Sequence, residues 1–191
     1  MDFRIERIDK EDLPFLGKFI HSAKLALSIN LLKSRHFGFH GTSAECFKTI
    51  DNVTGEIVGY IDITAKSQEA ENLSDKKPDP KSPIPEGLNP PLLAEVNNAV
   101  GEIAKETDGM ERFVLTRIRR GVGSKLVQLG IDRAKAGGVP LTVCAEAPSI
   151  TFFTSLGFVE TRHVDMDLRK YAPDNSGFGL FRLAGMIWRP E

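Results

Sequence analysis

Cysteine is scarce in this chain. Among its 191 residues there are two, Cys46 and Cys144. They lie far apart, which excludes a disulfide framework and a Cys-rich metal centre. No apolar run approaches the roughly 18 residues that a bilayer-spanning helix needs, so no membrane association is expected. An excess of charge of one sign is lacking too. Lys and Arg number 25 against 26 Asp and Glu, a net charge of −1. A near-neutral chain is not a general binder of polyanions, and no nucleic-acid partner is expected. The first residues, MDFRIERIDKEDLPF, are charged from the start. They do not read as a signal peptide, and the cytoplasm or nucleus is the expected compartment.

What is present is an ordinary globular mix. Hydrophobic residues make up 41% and charged residues 27%, enough for one packed core. The length suits a single domain over 1–191.

Residues 3–8 (FRIERI) alternate and predict a first strand. Asp9 and Asp12 bracket a helix start. After them Leu13, Leu16, Ile20, Ala23 and Leu27 repeat at three and four residues, making one apolar helical face. Residues 46–51 and 56–64 read as a hairpin, with Gly55 placed for positive φ in the turn. The stretch 66–91 is polar and holds six of the eleven prolines. It reads as a long surface loop without regular structure.

Helical periodicity resumes over 92–107, with Leu93, Val96, Val100 and Ile103 on one face. Residues 112–118 (RFVLTRI) read as a strand. A helix follows over 125–136, with Leu126, Val127, Gly130, Ile131 and Ala134 inward; Gly137 and Gly138 end it. Residues 141–145 form an apolar strand, 149–156 a short helix closed by Gly157, and 158–168 a further strand. The tail LFRLAGMIW predicts one more. The result is an α/β architecture: a mostly antiparallel mixed sheet flanked by helices. Strands 112–118 and 141–145 are joined by a helical crossover and should run parallel.

Between the strand at 112–118 and the helix at 125–136 lies Arg119-Arg120-Gly121-Val122-Gly123-Ser124. The first N–H groups of a helix have no internal partner, and its dipole places partial positive charge there. Two glycines let the backbone approach a ligand, and two arginines add full charge. Such a turn suits a phosphate or pyrophosphate. It lacks the spacing of a P-loop. It also has Leu126 where a dinucleotide-binding fingerprint needs its third glycine.

The same stretch resembles the acetyl-CoA pyrophosphate loop of the GNAT acetyltransferase superfamily, whose pattern is Gln/Arg-x-x-Gly-x-Gly/Ala. Phe152-Phe153-Thr154-Ser155-Leu156-Gly157-Phe158 is similar to that superfamily's second signature. The order of elements matches along nearly the whole chain. The stretches VPLTVCAEAP and SGFGLFRLAGMIW most resemble fungal GNAT-domain proteins. The resemblance implies a GNAT-like acyl-CoA N-acyltransferase fold. It further implies an N-acetyltransferase that moves the acetyl group of acetyl-CoA to an amine on a small molecule or protein. It assigns Arg119, Arg120, Gly121, Val122, Gly123 and Ser124 to the pyrophosphate, and Glu146, Ser149 and Phe153 to the CoA arm.

The chain departs from the pattern twice. FVLTRI runs directly into RRGVGS, several residues short, and Ile118 stands where Gln or Arg is expected. Phe153 stands in place of a Tyr that often protonates the departing thiolate. The first departure keeps a second reading open: a catalytically degenerate GNAT-like module with an impaired CoA site.

The expected chemistry is direct attack of a neutral amine on the thioester, which requires a proton acceptor. Glu146, at the end of strand 141–145, is the candidate; the alternative is a solvated or backbone-binding Glu. Ser149 is an alternative cap for the helix after it. His36 and His40 are spaced H-x₃-H but have a glycine between them and no third ligand, so no metal site is expected. Cys46 and Cys144 read as core thiols, His163 as a surface residue, and Phe181 and Trp188 as core anchors.

Overall fold

The computed structural model describes residues 2–12, 44–67, 89–116, 123–173 and 176–191. The predicted helix after Asp12, His36 and His40, most of the Pro-rich stretch, and Arg117 through Val122 lie outside the described residues.

Seven strands form one sheet. They are β1 (Phe3–Arg7), β2 (Ala44–Asp51), β3 (Ile57–Lys66), β4 (Arg112–Thr116), β5 (Leu141–Glu146), β6 (Val159–Asp167) and β7 (Leu180–Trp188). Their order across the sheet is β1-β2-β3-β4-β5-β7-β6. All neighbouring pairs are antiparallel except β4 with β5, which run parallel as the crossover argument requires. The tail strand β7 does not extend an edge. It inserts between β5 and β6, which leaves β6 and the exposed His163 at the rim.

Three helices are described: α1 (Pro90–Ala104), α2 (Gly123–Gly137) and α3 (Ala147–Ser155). Alternation along the strands divides them between the two faces of the sheet. On the first face, Leu126, Val127, Ile131 and Ala134 of α2 and Phe153 of α3 join Ile61, Ile63, Leu115, Leu141, Val143, Ala145, Ala184 and Met186 in the main core. All five predicted inward residues of α2 are buried. On the second face, Ala99 and Ile103 of α1 pack with Met166, Leu168 and Leu183. Trp188 leans on the first core and Phe181 on the second.

Turn chemistry fell where glycine and aspartate indicated. Gly55 has φ +72°, Gly138 +64° and Gly157 +87°. The Asp9 carboxylate accepts from the backbone N–H groups of Glu11 and Asp12 at 2.9 and 3.2 Å. The Asp12 carboxylate returns the bond to the Asp9 N–H at 2.9 Å. A 3₁₀ turn over Lys10–Asp12 results.

Several expectations are corrected. Lys66 belongs to β3, and Pro90 and Pro91 open α1, so regular structure claims both ends of the stretch 66–91. Proline needs no N–H in the first helical turn, and the Asn89 side chain caps that turn by accepting from Leu92 N–H. The buried stripe of α1 is Leu92, Val96, Ala99 and Ile103; Val100 is exposed. Helix α2 begins at Gly123 rather than 125, and α3 at Ala147 rather than 149. Cys144 is not a core thiol: it is exposed, and Cys46 is half-buried.

Candidate functional site

The parallel pair β4 and β5 ends on one side of the sheet, and a helix starts after each. The base of the pair is fixed. Arg112 is buried and donates from Nη1 to the carbonyls of Thr107 at 2.6 Å and Met110 at 3.0 Å. Thr142 Oγ1 donates to the Phe113 carbonyl at 3.2 Å, tying the strands side by side. Their register runs Phe113↔Leu141, Val114↔Thr142 and Leu115↔Val143. Among the described residues β4 goes no further along β5. Cys144, Ala145 and Glu146 continue, paired on their other side with Gly185, Ala184 and Leu183 of β7.

Beyond β4, α2 begins with Gly123 buried and Ser124 and Lys125 exposed. The Lys125 ammonium stands 5.8 Å from the Phe3 ring centroid. The opening N–H groups of α2 therefore belong to the same end of the sheet as the end of β5. Of the predicted phosphate-binding turn, Gly123 and Ser124 are placed at this helix start. Arg119, Arg120, Gly121 and Val122 lie outside the described residues.

Glu146 closes β5 and is the N-cap residue of α3, with extended backbone (φ −79°, ψ 154°). Its side chain makes no capping bond. Half-buried there, its carboxyl is raised above the ordinary 4.5 by burial. Ser149 is not the cap of α3; it lies one residue past Pro148 inside the first turn and is half-buried. Phe153 is in the core, 5% exposed, with edge-on rings of Phe152 at 5.2 Å and Phe158 at 5.3 Å. The absent tyrosine hydroxyl is thus replaced by a ring committed to packing.

Sequence reasoning missed the polar groups on the second face. Asp62, in the interior of β3, lies directly opposite Thr116, the last described residue of β4. On its other side it faces Cys46 of β2. The Cys46 thiol is pushed up to about 12, first by burial and then by a hydrogen bond to Asp62 and the negative charge of that carboxylate. Further along β2, Lys48 is buried and holds Asp12 at 2.6 Å, with Asp9 at 3.6 Å and Glu6 at 3.9 Å. The only signal for Asp62 was one acidic residue within the run I-V-G-Y-I-D-I-T. Among the described residues no group of three His, Cys, Asp or Glu is placed to hold a metal ion. No described helix is long and apolar enough to cross a membrane.

No protein-family model matches the chain, and no curated protein matches it. Solved structures do. Arabidopsis thaliana NAA60, solved in complex with acetyl-CoA, is 10% identical over 98% of each chain, with a TM-score of 0.53. The ribosomal-protein-S18-alanine N-acetyltransferase of Escherichia coli is 16% identical over 98% of this chain and 94% of its own, also at 0.53. FeeM, an N-acyl amino acid synthase from uncultured soil microbes, is 12% identical over 98% and 92%, at 0.57. The architecture is therefore the acyl-CoA N-acyltransferase fold, as the resemblance of the two motifs implied.

Proposed function

We propose that this chain is one N-acetyltransferase domain that transfers the acetyl group of acetyl-CoA to an amine. The observation that carries the reading is the end of the parallel pair. Strand β5 runs on to Glu146 beyond its described pairing with β4, and α2 opens beside it at Gly123. An extended ligand arm that lies along a strand gains main-chain hydrogen bonds from it. A pyrophosphate at the start of α2 meets unpaired N–H groups and the positive end of the helix dipole. Arg119, Arg120, Gly121, Val122, Gly123 and Ser124 are the proposed pyrophosphate residues. Ser149 is the proposed contact of the CoA arm from α3, and Phe153 contributes by fixing that helix. The likeness of VPLTVCAEAP and SGFGLFRLAGMIW to fungal members rests on those stretches alone.

The proposed step is direct. The amine nitrogen attacks the thioester carbonyl carbon, the C–N bond forms and the C–S bond breaks. CoA leaves as thiolate, a leaving group whose thiol has a pKa of about 8.5, and takes up a proton. Glu146 accepts the proton from the amine. Its buried setting raises the carboxyl toward the range where a base works best near neutral pH. Both thiols are poor candidates for an acyl-cysteine relay, since Cys46 is pushed up to about 12 and Cys144 to about 11.

Calorimetric titration of acetyl-CoA, and of CoA, into the purified chain tests the reading. Micromolar binding, about −8 kcal/mol, is the expected result. A folded chain that binds neither ligand would instead be a module that keeps the architecture without the cofactor site.

A further inference from the structure

Helix α2 begins at Gly123, ends at Gly137 and carries Gly130 midway. These three are about two turns apart, so they share one face of the helix. Glycine weakens a helix interior relative to alanine. The backbone at Gly130 is ordinary helix and does not call for glycine. Contact does. A Cβ on residue 130 would stand 2.9 Å from Leu115 Cδ1 and 3.1 Å from Leu141 Cδ2. Leu115 is on β4 and Leu141 on β5, so the added carbon would press on both strands of the parallel pair. Both leucines belong to the main core, at 1% and 0% exposed. Methyl groups in a close-packed core have little room to yield. Two turns on, a Cβ at Gly137 would meet Phe113 Cε2 of β4 at 3.3 Å. Helix α2 therefore lies lower on the pair than a side chain at 130 would permit.

We propose that Gly130 is a positioning residue of the cofactor site. By carrying no side chain it sets the height of α2 over β4 and β5. That height fixes where the first N–H groups of α2, from Gly123 onward, stand relative to the end of β5. The proposal rests on the acetyltransferase reading and goes beyond it, to a residue about 10 Å along the helix from the pyrophosphate. Gly130 touches no ligand and acts through the helix start. An N–H to oxygen bond is good at about 2.7–3.2 Å and weakens as it lengthens. A helix lifted by a few tenths of an ångström carries its opening N–H groups with it, and their bonds to the pyrophosphate lengthen together.

The test is calorimetric titration of CoA into the full chain and its variants. Gly130→Ala is expected to weaken CoA binding at least about tenfold, a loss of about 1.4 kcal/mol. With any amine that is turned over, the KM for acetyl-CoA should rise in step while kcat stays within a few-fold. Gln128→Gly is the control. Gln128 is exposed on α2 and bonds Asp132 at 2.9 Å, so this change loosens the helix without approaching the sheet. Its CoA affinity should stay within about twofold of wild type, since loosening alone does not move the seat of the helix. The two variants thus separate seating from helix order. If order alone governed binding, Gly130→Ala would bind at least as well as wild type and Gln128→Gly would bind worse. Leu115→Val added to Gly130→Ala should recover part of the loss by making room. Should Gly130→Ala not fold by itself, the double variant should still bind CoA more weakly than Leu115→Val alone, because the new carbon still meets Leu141. Wild-type CoA affinity in Gly130→Ala, or an equal loss in Gln128→Gly, overturns the assignment and leaves the acetyltransferase reading standing. A folded wild-type chain that binds no CoA overturns that reading, and this assignment with it.

Discussion

Ile103 of α1 sits against the backbone of Gly185 in β7, so closely that a Cβ on residue 185 would come within 2.5 Å of the Ile103 Cγ2. The same Cβ would meet Thr161 Oγ1 at 3.0 Å. Glycine is required here by contact, not by backbone angle. It lets α1 settle on the sheet beside β5, whose Cys144 pairs with Gly185. Gly185→Ala is expected to destabilise the fold by about 1–3 kcal/mol, as overpacking does. Ile103→Ala alone leaves a cavity and costs about 2–5 kcal/mol. In the double variant the new methyl group occupies space that Ile103 vacated, so the two costs should not add. Urea denaturation of the four proteins measures the coupling; strict additivity would show that the contact is absent in solution.

The Lys48–Asp12 pair fastens the first 3₁₀ turn to the sheet. Burial raises the Asp12 carboxyl, but the hydrogen bond and charge of Lys48 outweigh it, and the net shift is downward from 3.8. Burial lowers Lys48, and Asp12, Asp9 and Glu6 outweigh it upward from 10.5. For Asp12 the unfolded chain takes up its proton first as pH falls, so stability present at neutral pH is lost below the ordinary 3.8. For Lys48 the unfolded chain loses its proton first as pH rises, so stability is lost above the ordinary 10.5. Lys48→Met removes the cation from the half-buried Asp12 carboxylate, which keeps only the Asp9 N–H, and is expected to cost about 1–3 kcal/mol at pH 7. Lys48→Met with Asp12→Leu should recover much of that. Urea melts at pH 3, 7 and 11 should show both losses in the wild type and neither of these contributions in the double variant.

Legibility in the sequence followed the range of the interactions. The hairpin of β2 and β3 was readable because alternation and Gly55 are local. Helix α2 was readable because its five inward residues fall on one stripe. Pro90 and Pro91 misled because proline blocks a helix interior but suits its first turn, and only the Asn89 cap distinguishes the two. The placing of β7 between β5 and β6 depends on pairing across the sheet, which no local pattern carries. Val100 was expected inward because a period near 3.6 leaves two adjacent stripes open, and Gly185 selected the one containing Ala99 and Ile103. At the site, glycines and arginines suggest a turn by composition, whereas the run of β5 past its described pairing with β4 follows only from register.

The thiols offer a check on direct transfer. Cys144 keeps an exposed edge, yet its crowded surroundings and then the charge of Glu146 raise its thiol to about 11. Cys46 stands at about 12. Reaction with iodoacetamide requires the thiolate, so both should react slowly at pH 8, well below the rate of an unperturbed thiol of pKa about 8.5. Cys46→Ser and Cys144→Ser should each retain acetyl transfer within a few-fold. A covalent acetyl-protein adduct trapped on either sulfur by mass spectrometry would contradict direct transfer.

Glu146 should trade stability for activity. Burial favours its protonated form, so its folded-state value lies above the ordinary 4.5. Above that range the carboxyl is ionised in both states, and the folded state bears the cost of holding a charge away from water. The unfolded chain loses the proton first as pH rises through 4.5, so stability falls there and stays lower at pH 7. Glu146→Gln removes the charge and is expected to be as stable as the wild type or more so at pH 7. At pH 4, where both side chains are neutral in the folded state, that advantage should shrink. The same substitution removes the proton acceptor and should lower kcat by about 10²–10⁴, the usual share of a general base. It should also flatten the acidic limb of the pH–rate profile while leaving acetyl-CoA affinity unchanged. A variant that is destabilised at pH 7 and retains wild-type kcat would mean that Glu146 serves the β5–α3 junction and that the proton leaves by another route.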